Sequence, residues 1–363
     1  MSTPFQPLSL GSMVIKNRFV RSATNDYMGN LDGTISDLEI KLYRTLAVND
    51  VGLIITAHSY VQYPLGEAST GQNAIYNDKF IEGYRRVADT VHQHGSKLVM
   101  QISHAGRQVK ALAEGLVPVA PSAVTESSTG ITPRALTDEE IWELIDCYAA
   151  AMLRAKKAGC DGVQVHIAHG YLLSEFISPY TNKREDRWGG SIENRTRIIK
   201  EIIIRGKKLT GEDFPVLVKL NTTDGFEEAG YLTLEDAIYT AKLLYRLGVA
   251  AIEVSGGIRE SKKGFSRPGI ITPEQEAYFS TAAKAIKDAV ACPVILVGGL
   301  RSQAVMESVI DKGIADMVAL CRPFIKEPDL VKRFLNGQAK VTCVSCNNCR
   351  SPKGIRCNYK AKE

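Results

Sequence analysis

Three side chains close together in the sequence have the chemistry to move protons or to ligate a metal: His166, His169 and Tyr171. The residues leading to them, 162–167, read as a short buried strand, because their apolar positions are β-branched and the helix-ending pair Ala158-Gly159 precedes them. If the chain turns at once after this strand, both imidazoles and the phenol point into one pocket, at the strand exit where α/β folds place their chemistry. Satisfied polar groups in a loop would give the same pattern. The stretch that follows favours a site: residues 178–197 are rich in Asn, Arg, Asp, Gly and Trp and lack helical apolar spacing, the mark of a structurally specific loop rather than a linker. A metal on the two histidines is disfavoured, since no carboxylate at the strand exit completes a zinc or iron set.

Other residues extend this list. Val297-Gly298-Gly299-Leu300 lets the backbone approach an anion closely, and Cys321-Arg322-Pro323 stands at the equivalent point of the next strand. A glycine pair alone fits a simple turn, but a guanidinium beside it suits a phosphate cradle. Lys219, in Val-Leu-Val-Lys-Leu, puts a cation inside a buried strand, where it needs a partner; a salt-bridged or snorkelling lysine is the plainer account. Tyr27 and the pair His104 and Arg107, on the loops after strands one and three, are candidates for substrate contact in the same pocket. Near the end, Cys343, Cys346, Cys349 and Cys357 follow Cys-x2-Cys-x2-Cys-x7-Cys. A [4Fe–4S] cluster and a four-cysteine zinc site both match the ligand count, and the compact first three positions favour the cluster.

Eight strands are needed to position these groups, and eight can be read: 17–24, 51–57, 97–103, 162–167, 215–221, 250–255, 294–298 and 316–320. Helices are expected between most of them, over 36–50, 78–95, 137–159, 191–209 and 233–247, with another starting at Pro273 and a last one at 329–336. The loop over 104–133 is too long for a bare connector and suggests a lid or small hairpin. Eight strand–helix alternations imply a parallel sheet closed into a (β/α)8 TIM barrel, here residues 1–340, with a short Cys-rich C-terminal extension, 341–363. A doubly wound open sheet is the runner-up, but no Gly-x-Gly-x-x-Gly turn follows strand one. A nicotinamide cofactor would therefore be a visiting substrate.

Composition sets the class. The chain has 363 residues, 44% hydrophobic and 23% charged, with a net charge of +5. Basic residues are dispersed, so no nucleic-acid footprint is expected, only modest attraction for a phosphate-bearing substrate or cofactor. No apolar run nears the roughly 20 residues that span a bilayer, and the first ten residues lack a signal-like core, so a cytoplasmic protein without membrane partners is expected.

The run His-Ile-Ala-His-Gly-Tyr-Leu-Leu-Ser-Glu-Phe-Ile-Ser-Pro from His166, with the later Thr-Asn-Lys-Arg-x-Asp-x-Trp-Gly-Gly-Ser-x-Glu-Asn-Arg, resembles the old yellow enzyme family of FMN-dependent oxidoreductases. It looks most like the flavin-barrel portion of the bacterial 2,4-dienoyl-CoA reductase and trimethylamine dehydrogenase branch. The resemblance implies FMN, its phosphate on Gly298, Gly299, the backbone around Cys321 and the Arg322 side chain. It implies a flavin ring over Ala23 and Thr24, with Ala57 and Gln101 at the ends of strands two and three. Gln101 and Lys219 would meet the electron-rich edge of the reduced ring. His166 and His169 would then grip the oxygen of an activating carbonyl and Tyr171 protonate the α-carbon, with NAD(P)H as hydride donor to a C=C bond of a small-molecule substrate. In this branch a cluster occupies the cysteine site and passes electrons from a further domain. The chain stops at Glu363, so a separate redox partner protein, or a structural remnant, is expected in its place, in a homo-oligomer. An oxidative amine-type dehydrogenase and an iron–sulfur/flavin electron-transfer partner are the rival activities.

Overall fold

The computed structural model describes residues 3–109, 115–349, 351 and 354–359. Eight parallel strands form the ring: β1 (Phe19–Arg21), β2 (Leu53–Ile55), β3 (Lys97–Ser103), β4 (Gly162–Ile167), β5 (Val216–Asn221), β6 (Ala251–Ser255), β7 (Val294–Val297) and β8 (Met317–Leu320). Each pairs with its sequence neighbour, β8 pairs with β1, and the sheet therefore closes. The expected (β/α)8 barrel is the fold, and all eight strands fall within the expected ranges.

Side-chain alternation explains why these segments close rather than lie flat. Along each strand one set of apolar residues packs outward on helices, Phe19, Ile54, Val165 and Val254 among them. The other set, Val20, Leu53, Ile55, Val99, Leu217, Ala251, Ile295 and Met317, fills the barrel interior. A strand buried on both faces carries few polar residues, and so those it does carry stand out.

The helices are α1 (Asp37–Val48), α2 (Ile81–His92), α3 (Asp138–Lys157), α4 (Arg197–Thr210), α5 (Leu234–Arg246), α6 (Ser280–Ala289), α7 (Gln303–Asp311) and α8 (Leu330–Leu335). Capping boxes at Ser36/Glu39 and Thr137/Glu140 fix the starts of α1 and α3. Two helix boundaries differ from the sequence reading. Pro273 opens only a 3-10 turn, Pro273–Gln275, after which Ala277 takes a left-handed φ of 51° and α6 begins at Ser280. The segment expected as one helix over 191–209 breaks at Thr196 into Ile192–Arg195 and α4. Helix α7, between β7 and β8, is not anticipated by the sequence reading.

An antiparallel hairpin, Leu8–Leu10 with Met13–Ile15, plugs the N-terminal mouth of the barrel. Its Leu10, Met13 and Ile15 join the interior cluster, each contributing on the order of 1.5–3 kcal/mol of burial. In the long loop of 104–133, Val119–Ala120 pairs in parallel with Arg134–Ala135, and Glu126 bridges Ile131; the residues at 110–114 are outside those described. The cysteine-rich end packs on the opposite, C-terminal mouth: Val341 N–H donates to the Arg301 carbonyl (2.9 Å) and Gly269 N–H to that of Ser345 (3.1 Å). No helix among the described residues is long and apolar enough to cross a membrane.

Candidate active site

Above the apolar interior the inward positions turn polar, and strand register sets them side by side. Lys219 on β5 is in register with His166 on β4 and Glu253 on β6, and Gln101 on β3 with Gln164 on β4. Buried Lys219 has its partner in Glu253, 3.3 Å away, and donates to the Ser22 hydroxyl at 2.9 Å. Ser22 in turn donates to Glu253 (2.6 Å), Gln164 to the other Glu253 oxygen (2.8 Å), and Gln101 to Gln164 (2.7 Å). A buried cation is tolerable only with such compensation. The layer forms the floor of a cavity of about 280 Å³ open at the C-terminal mouth.

On this floor stand the imidazoles. His169 follows β4 with a left-handed φ of 67°, an uncommon conformation for a non-glycine residue that clusters at functional sites. It turns the ring back so that it stacks on Phe265 (4.5 Å between centroids), with Nε2 2.7 Å from the Ser255 hydroxyl. The His166 ring is 5.1 Å from that of His169 and 5.1 Å from that of Tyr171. Tyr171 is held where it caps the short helix Leu172–Ile177. Burial, then His169, Lys219 and His58, hold the His166 ring far below its ordinary range; burial, then Lys219 and His58, do so for His169. Both rings are neutral, each with one N–H to donate. Among the described residues the buried Nδ1 of His166 has no partner, an orphan that needs an explanation by function.

The far wall is formed by two glycines and an arginine. Gly298 and Gly299 have φ of 141° and 70°, and a Cβ on either would meet the Tyr278 ring at 2.9 or 2.8 Å, so only glycine leaves that backbone open. Arg322 lies beside them, its Nη1 held by the Arg267 carbonyl (2.8 Å), the Asn347 side chain (2.6 Å) and the Ser345 carbonyl (3.3 Å). Burial pushes the neighbouring Cys321 thiol up, but Arg21, hydrogen bonds from Thr24 and Arg21, and Arg322 bring it below the usual range. Its Sγ is 2.8 Å from the Thr24 hydroxyl.

The cavity thus gathers Ala23, Thr24, Tyr27, Gln101, His166, His169, Tyr171, Lys219, Gly298, Gly299, Cys321 and Arg322. It does not gather Ala57, His104 or Arg107. Ala57 is buried behind the wall with its N–H on the Tyr43 hydroxyl (2.9 Å), and His58 lines the cavity instead. His104 is turned inward, between Gln62 (3.1 Å) and the Gly106 N–H (3.1 Å), its titration pushed by burial to about 3. Arg107 is buried in an ion pair with Glu260 and donates to the Thr125 carbonyl at 2.9 Å. Its charge is already spent within the protein, so the expected substrate contacts of both residues are corrected to structural ones. Sequence reading also missed His58, Gln164, Glu253 and Ser255, of which Glu253, a carboxylate within Ala-Ile-Glu-Val-Ser, carried a readable signal.

Cys343, Cys346, Cys349 and Cys357 line a second, small cavity with Arg322 and Lys326. Cys343 is buried and Cys346 exposed, and among the described residues no three His, Cys, Asp or Glu side chains are grouped to hold a metal ion. The residues as placed do not by themselves show the cluster or the zinc site that their spacing suggested. Arg322 and Cys349 line both cavities.

Comparison with known proteins agrees with this geometry. The profile of the NADH:flavin oxidoreductase / NADH oxidase family matches residues 4–340. A protein named NADH oxidase from Thermoanaerobacter brockii is 41% identical over 341 residues, 93% of this chain and 52% of that protein. A protein named NADPH dehydrogenase from Geobacillus sp. (strain WCH70) is 34% identical over 89% of this chain and 91% of its own. The solved structure of an old yellow enzyme homologue from Zymomonas mobilis superposes with a TM-score of 0.80, at 28% identity and 98% coverage of both chains. The chain spans about half the length of the first curated relatives it matches.

Proposed function

We propose, from the premise that this chain belongs to the NADH:flavin oxidoreductase / NADH oxidase family, that it binds FMN and uses NAD(P)H to reduce an activated C=C bond, such as that of an α,β-unsaturated carbonyl, enoate or dienoyl compound. The observation that carries the reading is two neutral imidazoles and a phenol, the rings of His169 and Tyr171 each 5.1 Å from that of His166, above a buried lysine and facing a glycine–arginine anion cradle.

FMN, when bound, supplies the hydride carrier that NAD(P)H fills and the alkene empties. Gly298, Gly299 and Arg322 would hold its phosphate, and Gln101 and Lys219 would place a donor and a cation at the electron-rich edge of its ring. His166 and His169 donate to the carbonyl oxygen, drawing electron density from the β-carbon. As neutral rings they do so without first giving up a proton. With the His169 Nε2 engaged by Ser255, its Nδ1 is the nitrogen left for substrate. Tyr171 gives its proton to the α-carbon as general acid. One pocket serves NAD(P)H and alkene in turn, a ping-pong cycle. Residues 1–340 form the catalytic barrel and 341–363 an appended segment.

A second reading, an electron-transfer flavoprotein working with a separate protein, draws support from the wall that the barrel cavity and the cysteine cavity share at Arg322 and Cys349. One experiment separates them. The purified protein is examined anaerobically by absorption, titrated with NADPH, then given 2-cyclohexenone, with iron and zinc content measured alongside. Flavin bands that bleach with NADPH and return with the enone support reduction of an activated alkene. Bands that NADPH cannot bleach favour the second reading, and absence of flavin sinks both.

A further inference from the structure

His58 takes the wall position expected for Ala57, and its hydrogen bonds fix where its proton lies. The Gln72 side-chain carbonyl accepts from the Ala68 N–H (2.7 Å), which leaves its amide to donate to the His58 carbonyl (3.0 Å) and to the His58 ring Nδ1 (3.1 Å). The Ser103 hydroxyl, 2.8 Å from the same Nδ1, is free to donate there as well. Nδ1 is therefore an acceptor, and the neutral ring carries its hydrogen on Nε2. Burial, then Lys219, lowers the titration of the ring to about 4, so this form holds across the working pH range.

That Nε2–H has no partner among the described residues and is closed to solvent, so a ligand filling the cavity does not reach it directly. The His58 ring as a whole packs beside that of Tyr171, the two 4.9 Å apart between centroids at 50°, with the His166 ring further off at 6.1 Å. Among the described residues His166, His169 and Lys219 also act on this corner, and Lys219 is paired with Glu253. A buried donor without an acceptor is unfavourable in the resting protein, and becomes favourable when negative charge appears beside it.

We infer that His58 is a positioning residue for the acid step, its unpaired Nε2–H stabilising the phenolate that Tyr171 becomes when it gives its proton away. This rests on the reading of Tyr171 as general acid. It assigns the third histidine of the cavity to the protein's own tyrosine rather than to substrate or cofactor.

The test is tyrosine ionisation in the flavin-loaded enzyme, followed by NMR of ring-labelled tyrosine, with Tyr171→Phe identifying the signal. His58→Leu should raise the ionisation of Tyr171 by about one pH unit, a tenfold change in its acid constant, and His58→Gln, which keeps an N–H donor, should recover at least half of it. The alkaline limb of enone reduction should move with the NMR signal. A His58→Leu value within twofold of the parent protein overturns the inference. Should that variant not fold, nitrogen NMR of the parent decides: a ring protonated on Nε2 at neutral pH is expected, and one protonated on Nδ1 refutes it. If Tyr171→Phe leaves enone reduction intact, the acid role fails by itself, and the ionisation measurement still stands.

Discussion

The two ends of the barrel are made from the same strands and differ by two residues along each. On β3, Val99 faces the apolar interior and Gln101 the cavity floor; on β5 it is Leu217 and Lys219, and on β6 Ala251 and Glu253. The lower end is closed by the Leu8–Leu10 and Met13–Ile15 hairpin and holds a cluster of apolar side chains. The upper end holds a buried ion pair, neutral histidines, a left-handed His169 and polar atoms without partners. Apolar burial is concentrated at one mouth and unmet bonding capacity at the other. Within one continuous core, function occupies the places where burial alone is not enough.

This division is open to direct attack. Lys219→Met strands Glu253 in the upper layer, and the expected outcome is a loss of about 3–5 kcal/mol in denaturant unfolding, together with loss of flavin from the purified protein. Replacing Lys219 and Glu253 together by Met and Leu should restore most of the stability and none of the flavin retention, which would sharpen the contrast. His166→Ala should cost about 100- to 1,000-fold in the rate of enone reduction while leaving the unfolding midpoint within experimental spread. A large loss of stability instead would erase the division.

At the lower mouth, Ile15→Ala should lower unfolding free energy by about 3 kcal/mol and leave turnover at 25 °C unchanged, the mirror image of His166→Ala. The smallest effect concerns the buried carboxyls beside the β1–α1 loop. Burial, and then Asp26, raise Glu39 from 4.5 to about 8, and burial raises Asp26 from 3.8 to about 6. The folded chain therefore keeps protons that the unfolded chain has lost, and stability falls as pH climbs from about 5 to about 8. Glu39→Gln should flatten that slope in urea titrations at pH 5.5 and 8.5; an unchanged slope would show that the pair does not titrate.

The barrel was legible because all eight strands carry runs of apolar, largely β-branched residues, and those runs survive whatever the loops do. His166, His169, Tyr171, Gly299 and Arg322 were legible for a related reason, since each lies within five residues of a strand end that the apolar pattern marks. His58 rather than Ala57 lines the cavity, and β2, with only three residues, Leu53–Ile55, all of them buried, offers no alternation from which to count faces. Arg107 could not be read at all. Its partner Glu260 lies 153 residues away, and nothing local says that its charge is neutralised. The cysteines mark the limit of a spacing read by itself. Packing puts Cys343 inside and Cys346 outside, and spacing along a chain does not set direction in space.

Arg322 reaches the anion cradle while its Nη1 is gripped by Ser345 and Asn347 of the C-terminal segment. A guanidinium shared in this way makes the two sites thermodynamically reciprocal: whatever factor an occupied cradle adds to the docking of the segment, docking adds to the affinity of the cradle. The segment is then a thermodynamic gauge of the barrel, and its resistance to a protease should change with the fraction of cradles filled, in the direction set by the sign of that coupling.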